Sequence, residues 1–167
     1  NKAVTVDREI ELDALTENDL KSLEIGCDMG LEHFALSFAS RREDVEFIRG
    51  LTSESAFIIS KIESLAGLSN LEAISQVSDA LLIDRGDLSR QVPLERIPVV
   101  QKAIVRVAKN AGLKVYVATN LLESMITLPT PTRAEVNDVY NTLLDGADGL
   151  VLAAETAIGA HPIACAS

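Results

Sequence analysis

Five short, almost unbroken apolar runs recur along the chain, at residues 33–38 (HFALSF), 56–60 (AFIIS), 80–83 (ALLI), 115–118 (VYVA) and 149–152 (GLVL). Each is strand-sized, and continuous hydrophobicity is what a strand needs when both of its faces are covered. Stretches with helical spacing lie between them. Val99, Ala103, Ile104, Val107 and Ala108 form one apolar stripe that stops at Asn110-Ala111-Gly112. Residues 135–144 predict a second helix, stopped by Asp145-Gly146, and residues 43–50 a third, ended by Gly50. Strand and helix in alternation predict a parallel sheet with right-handed crossovers. The spacing between run centres, about 24 residues early and about 34 later, suits βαβ units. Ahead of the runs, residues 1–15 look extended with weak alternation. Thr16, with Asp19 three residues on, predicts a capped helix start.

Two α/β architectures fit this order, an open doubly wound sheet or part of a TIM (β/α)8 barrel. No Gly-rich dinucleotide fingerprint follows the first run, which counts against the open sheet. The polar residues carry more weight. From the second run onward the strands end in Lys61-Ile62-Glu63, Asp84-Arg85-Gly86-Asp87, Thr119-Asn120 and Ala153-Ala154-Glu155-Thr156. Reactive groups at the C-terminal ends of successive parallel strands are how a barrel assembles its site. No linker or low-complexity tract divides the chain, so residues 1–167 are expected to form one partial barrel domain.

Composition narrows the function. A hydrophobic content of 47% and a charged content of 24% are those of a globular domain. The net charge is −10 and the densest positive cluster is Arg41-Arg42, which argues against a nucleic-acid surface. An acidic enzyme of phosphorylated substrates must gather its few cations locally or recruit a metal ion. Cys27 and Cys165 are far apart and read as reduced thiols. No apolar run reaches the ~18 residues of a membrane span, and the start of the chain has no signal-peptide layout. A cytoplasmic location is therefore expected.

Lys61 and Glu63 are two apart at a strand end, so both side chains would face one side. They read either as a solvated ion pair or as a cation and a carboxylate at the barrel mouth. Gly86 beside Asp87 is either an ordinary turn or a close backbone approach to an anion, with Asp87 joining Glu63 as an oxygen ligand for Mg²⁺. Arg85 either holds a substrate carboxylate or makes a structural ion pair. Thr119 is the better candidate for orienting a substrate. Thr132 and Glu135 fit a capping box between a Pro-interrupted stretch and a helix, and His33 and His161 read as bystanders.

The motifs ISKIES, DRGDLS, VATNLLESMITLPTPTRAEVNDV and LDGADGLVLAAETAIGAHP, in collinear order, closely resemble consecutive motifs of the pyruvate kinases. LTENDL and LSFASRREDV resemble the preceding stretch more loosely, and LESMI…PTPTRAE is specific to that family. The resemblance implies about the last five strands of a (β/α)8 barrel. The lid domain and the strands bearing potassium and nucleotide contacts would precede residue 1, and a regulatory domain would follow residue 167. It implies a metal, Mg²⁺ or Mn²⁺, on Glu63 and Asp87. Lys61 would stabilise the phosphoryl group in flight, and Gly86, Asp87 and Thr119 would hold the carboxylate of phosphoenolpyruvate. The implied reaction converts phosphoenolpyruvate and ADP to pyruvate and ATP in glycolysis, with potassium use and a homo-oligomer expected of the complete protein. Asp84 and Ser89 replace the family's Ala and Gly around Arg-Gly-Asp-Leu, Asn120 its Gln, Ala153 its Ser and Ile158 its Lys. Asp84 and Ala153 motivate an alternative, metal-dependent enolase- or lyase-type chemistry on a 2-oxo acid. A non-catalytic relative is the third reading.

Overall fold

The computed structural model describes residues 14–167, so the extended segment expected over residues 1–15 lies almost wholly outside the described residues. Helix α1 (Glu17–Asp28) opens the described chain, followed by strand β1 (His33–Leu36), helix α2 (Arg42–Leu51) and strand β2 (Phe57–Ile62). Two five-residue helices, α3 (Leu65–Ser69) and α4 (Leu71–Ser75), lead to strand β3 (Ala80–Asp84), which runs straight into the single turn α5 (Arg85–Leu88). A 3-10 turn at Leu94–Arg96 precedes α6 (Ile97–Asn110) and strand β4 (Lys114–Ala118). A second 3-10 turn, Glu123–Ile126, precedes α7 (Arg133–Leu144), strand β5 (Gly149–Val151) and two short helices, α8 (Ala154–Ala157) and α9 (Pro162–Ala166).

All four strand pairings are parallel and the sheet order is β1-β2-β3-β4-β5. Each apolar run has become a strand, and Ile58, Ile62, Leu81, Ile83, Val115 and Val117 are fully buried in its core. Helices cover the sheet through Val45, Ile74, Leu88, Ile104 and Ala108. Sequential order with every crossover helical is the arrangement of a partial (β/α)8 barrel. Among the described residues, no helix is long and apolar enough to cross a membrane.

The capping boxes are formed as the sequence predicts. Thr16 and Asp19 bond reciprocally at α1, and Thr132 and Glu135 at α7. Two helix expectations need correction. Helix α2 continues one residue past Gly50, whose side-chain position faces open space, and is terminated by the extended Thr52. The buried line of α6 is Ile97, Gln101, Ile104, Val105 and Ala108, whereas Val99 is exposed. Gln101 displaces an apolar residue from that line because its amide donates to Thr142 Oγ1 at 3.2 Å, so the polar group is satisfied inside.

The two ends of the sheet do different work. At the N-terminal end, Asp79 accepts the Ile58 amide at 2.8 Å and pairs with Arg49 at 2.7 Å. Asp148 repeats the device further along the sheet, accepting the Val115 amide at 2.8 Å and pairing with Lys109 at 2.6 Å. The Lys109 and Val115 contacts hold the Asp148 carboxyl below its usual range. These clamps fix βα units in register and leave the C-terminal end for the site.

Candidate active site

Strand β2 carries Lys61 out to the C-terminal rim, and Glu63 follows one residue past its end. Their contact is direct, with Lys61 Nζ 2.7 Å from Glu63 Oε1. Glu63 is only 1% exposed, so this is no solvated surface pair. Its other oxygen accepts the Phe38 amide from the turn after β1. Phe38 holds a positive φ of 52°, which aims that N–H inward. The turn is kept close by α3, where a Cβ on Gly67 would meet Ala39 O at 2.7 Å, so only glycine lets the two segments touch.

Strand β3 brings the next group. Register pairs Ile62 with Ile83 and Asp84 with Ala118, which sets Asp84 beside Lys61 on one side and Thr119 on the other. Asp84 Oδ2 lies 3.6 Å from Lys61 Nζ. Its Oδ1 accepts from the Thr119 hydroxyl at 3.1 Å and caps α5 through the Asp87 amide at 3.4 Å. The Gly86 amide in turn donates to Thr119 Oγ1 at 2.8 Å. Glu63, Asp84 and Asp87 each offer an oxygen within 4.8 Å of the other two. Asp87 is also paired with Arg90 at 3.2 Å.

Burial disfavours charge on both members of the Lys61–Glu63 pair, with unequal results. For Lys61 burial opposes the ammonium, but the Glu63 hydrogen bond and the Glu63 and Asp84 charges outweigh it and raise its pKa. For Glu63 burial dominates and raises the carboxyl, against the lowering pull of Lys61 and the Phe38 amide. Glu63 Oε1 has the Lys61 ammonium at 2.7 Å and, among the described residues, no further hydrogen-bond donor. An under-coordinated buried oxygen facing two further carboxylates fits a hard divalent cation of Mg²⁺ type, which takes one or two carboxylates and leaves its remaining positions to water and substrate oxygens.

Arg85 is 8% exposed. It donates to Asp138 on α7 at 2.9 and 3.0 Å, to Thr119 O at 2.8 Å and to Asn120 O at 3.0 Å. Thr119 and Asn120 have φ of 68° and 52°, a conformation costly for a β-branched residue, and the guanidinium holds their carbonyls in it. Arg85 thus braces the loop that presents Thr119. After β4, Asn120 donates to Glu123 at 3.0 Å, and after β5 the buried Glu155 accepts the Ala153 amide at 3.0 Å. The structure therefore brings Lys61, Glu63, Gly86, Asp87 and Thr119 to one rim. It adds Asp84 and the Phe38 amide, neither of which the residue types had placed among the ligating groups.

A family model described as the pyruvate kinase barrel domain matches residues 1–166. A protein named pyruvate kinase from Methanocaldococcus jannaschii is 44% identical over 160 residues, covering 94% of this chain and 36% of its own length. One of the same name from Thermotoga maritima is 45% identical over 159 residues, covering 93% of this chain and 34% of its own. Another, from Methylorubrum extorquens, is 45% identical over 150 residues, with 90% and 31% covered. The chain spans about a third of the length of these curated relatives.

Proposed function

The chain belongs to the pyruvate kinase family through its barrel domain, and on that premise we propose that the complete protein moves a phosphoryl group from phosphoenolpyruvate to ADP. The observation that carries this reading is the convergence of one largely buried cation, three carboxylates and a hydroxyl on a single rim. In the transfer, the bond from phosphorus to the enol oxygen breaks and one to a β-phosphate oxygen of ADP forms. The enolate left behind takes a proton at its methylene carbon and becomes pyruvate. Lys61 faces the phosphoryl oxygens and stabilises charge while the group is between partners, the dominant kind of catalysis for such a step. Thr119 and the Gly86 and Asp87 amides hold the substrate carboxylate, and Arg85 acts through Thr119 by fixing its backbone. Glu63 and Asp87 would hold Mg²⁺ or Mn²⁺, which when bound supplies charge neutralisation at the phosphoryl and enolate oxygens.

Potassium, if used, would be held by residues outside this chain. Exposed Val136, Tyr140, Leu143 and Leu144 on α7 support association of the complete protein as a homo-oligomer, with the cytoplasm as its proposed location.

The test is ATP formation from phosphoenolpyruvate and ADP by the complete protein. Lys61→Met should lower it by about 10³-fold or more with the fold intact. Activity within a few-fold of the unsubstituted protein would remove Lys61 from the mechanism. A second reading is favoured by the Thr119 hydroxyl–Asp84 contact, which could relay a proton where Ala153 offers no hydroxyl. It assigns metal-dependent enolisation of a 2-oxo acid, and predicts exchange of pyruvate methyl protons independent of ADP.

A further inference from the structure

We propose that Asp84 is an internal competitor for the substrate's carboxylate, occupying donors that an incoming anion needs and so setting the affinity of the site. This rests on the reading above, in which the site receives a carboxylate. Asp84 has a largely buried side chain, 13% exposed, with both oxygens committed. Oδ1 takes the Thr119 hydroxyl at 3.1 Å and the Asp87 amide at 3.4 Å, and Oδ2 lies 3.6 Å from the Lys61 ammonium.

A threonine hydroxyl has one proton to give. Thr119 already shares it between Asp84 and its neighbour Ala118 O, at 2.6 Å, while accepting from Gly86. An external carboxylate must take that proton from them, and must take the Asp87 amide from Asp84. It also meets the negative charge of Asp84 at short range in a partly desolvated site, where repulsion is strong. Asp84 therefore acts as a positioning and specificity-determining residue. It orders Lys61 and Thr119 when no anion is present, and penalises an arriving anion through its charge and its hold on the donors.

Substitution separates charge from shape. Asp84→Asn keeps an acceptor for Thr119 and for the α5 cap but removes the charge, whereas Asp84→Ala removes both. In the full protein, calorimetric titration of oxalate at saturating Mn²⁺ should show Asp84→Asn, which still occupies the donors, binding about threefold more tightly than the unsubstituted protein, and Asp84→Ala roughly tenfold more tightly. The gain should shrink with added salt, and Mn²⁺ alone should bind about tenfold less tightly in both variants, as loss of a negative charge beside Glu63 and Asp87 requires. Thermal unfolding of the same samples confirms that each is folded. A merely structural cap would leave oxalate affinity unchanged in the Asn variant, and that result overturns the proposal. So does a loss of Mn²⁺ affinity beyond about a hundredfold in both variants, more than a neighbouring charge accounts for, which would make Asp84 a metal ligand. Glu63→Ala serves as the separate check on the underlying site. If it binds oxalate with Mn²⁺ as well as the unsubstituted protein, the carboxylate-site reading itself fails, whatever Asp84 does.

Discussion

The Gly86 amide donates to Thr119 Oγ1 at 2.8 Å while Thr119 sits at a φ of 68°, so the turn that follows β3 is tied to the most strained residue after β4. Thr119 is β-branched and costs roughly 1–2 kcal/mol in that conformation. The strain persists because Arg85 and Gly86 hold the residue from both its carbonyl and its hydroxyl.

Gly86→Ala would place a methyl group 3.3 Å from Thr119 Oγ1 and 3.4 Å from Asp84 Oδ1. The expected stability loss is modest, about 1 kcal/mol, because both neighbours can shift slightly. Metal-dependent oxalate affinity should fall by roughly tenfold, since a tightly placed amide and hydroxyl move together. Denaturant unfolding and calorimetry on one preparation read the two numbers.

Thr119 invites a paired substitution. Thr119→Ser keeps the hydroxyl and removes the β-branch, so oxalate binding should stay within about threefold and stability should not fall. Thr119→Val keeps the branch and removes the hydroxyl, leaving the Gly86 amide without its acceptor. Oxalate affinity should then drop by about tenfold or more. Equal binding by both variants would show that the hydroxyl is idle.

Lys61→Met leaves Glu63 buried beside a methyl group, and the expected cost at neutral pH is about 3 kcal/mol. Burial already raises the Glu63 carboxyl, and loss of Lys61 raises it further. An acid with a raised folded pKa is penalised above that pKa and relieved as pH falls through it. The variant should therefore recover stability on mild acidification. Lys61→Met combined with Glu63→Gln should recover it at neutral pH as well, measured by urea unfolding across pH.

Arg85→Ala removes donors to Asp138 and to the Thr119 and Asn120 carbonyls. The expected loss is about 2–4 kcal/mol, mostly from the carbonyls, since Asp138 has a side chain 39% exposed that water can reach. If Arg85 braces Thr119 without touching substrate, Arg85→Lys should lose stability and orientation together, because lysine cannot reproduce the forked geometry. A variant that loses affinity at full stability would place the guanidinium on the substrate.

Glu135 ties the 3-10 turn at Ser124 to the start of α7, accepting from the amides and hydroxyls of Ser124 and Thr132. Burial works against its charge, but the Ser124 and Thr132 bonds win and lower its pKa to about 2. Its contribution is present above the ordinary carboxyl value and lost as pH falls toward about 2. Solvent screening reduces the expected cost of Glu135→Gln to about 1–2 kcal/mol near neutral pH, vanishing once the carboxyl is protonated. Thermal melting at several pH values gives the difference curve.

The strands were legible because a continuous apolar run, in a chain rich in aliphatic residues and cut by regular helical stretches, fits little besides a strand covered on both faces. Lys61 and Glu63 were legible because period two places them on one side of β2. The capping boxes were equally plain, being local. What escaped the sequence depends on distance or on backbone. Asp84 acquires its neighbours from the pairing of β3 with β4, and Arg85 finds Asp138 across 53 residues. The Phe38 amide is a backbone group, made useful by a φ that no side-chain pattern announces. Helices α3 and α4 are five residues each, too short to display a period. Gln101 broke the α6 stripe because its partner, Thr142, lies on a helix that local periodicity does not connect to it.

The site's cation, carboxylates and hydroxyl come from three adjacent parallel strands, each extended by no more than three residues beyond its last paired position. Alternation means that adding or deleting one residue within a strand would swing every following side chain to the opposite face. Natural length variation should accordingly fall in the turns that lead into the strands and spare the strand ends. A single-residue insertion between Ile58 and Glu63 should be among the most damaging changes the gene can suffer, though it alters no ligand.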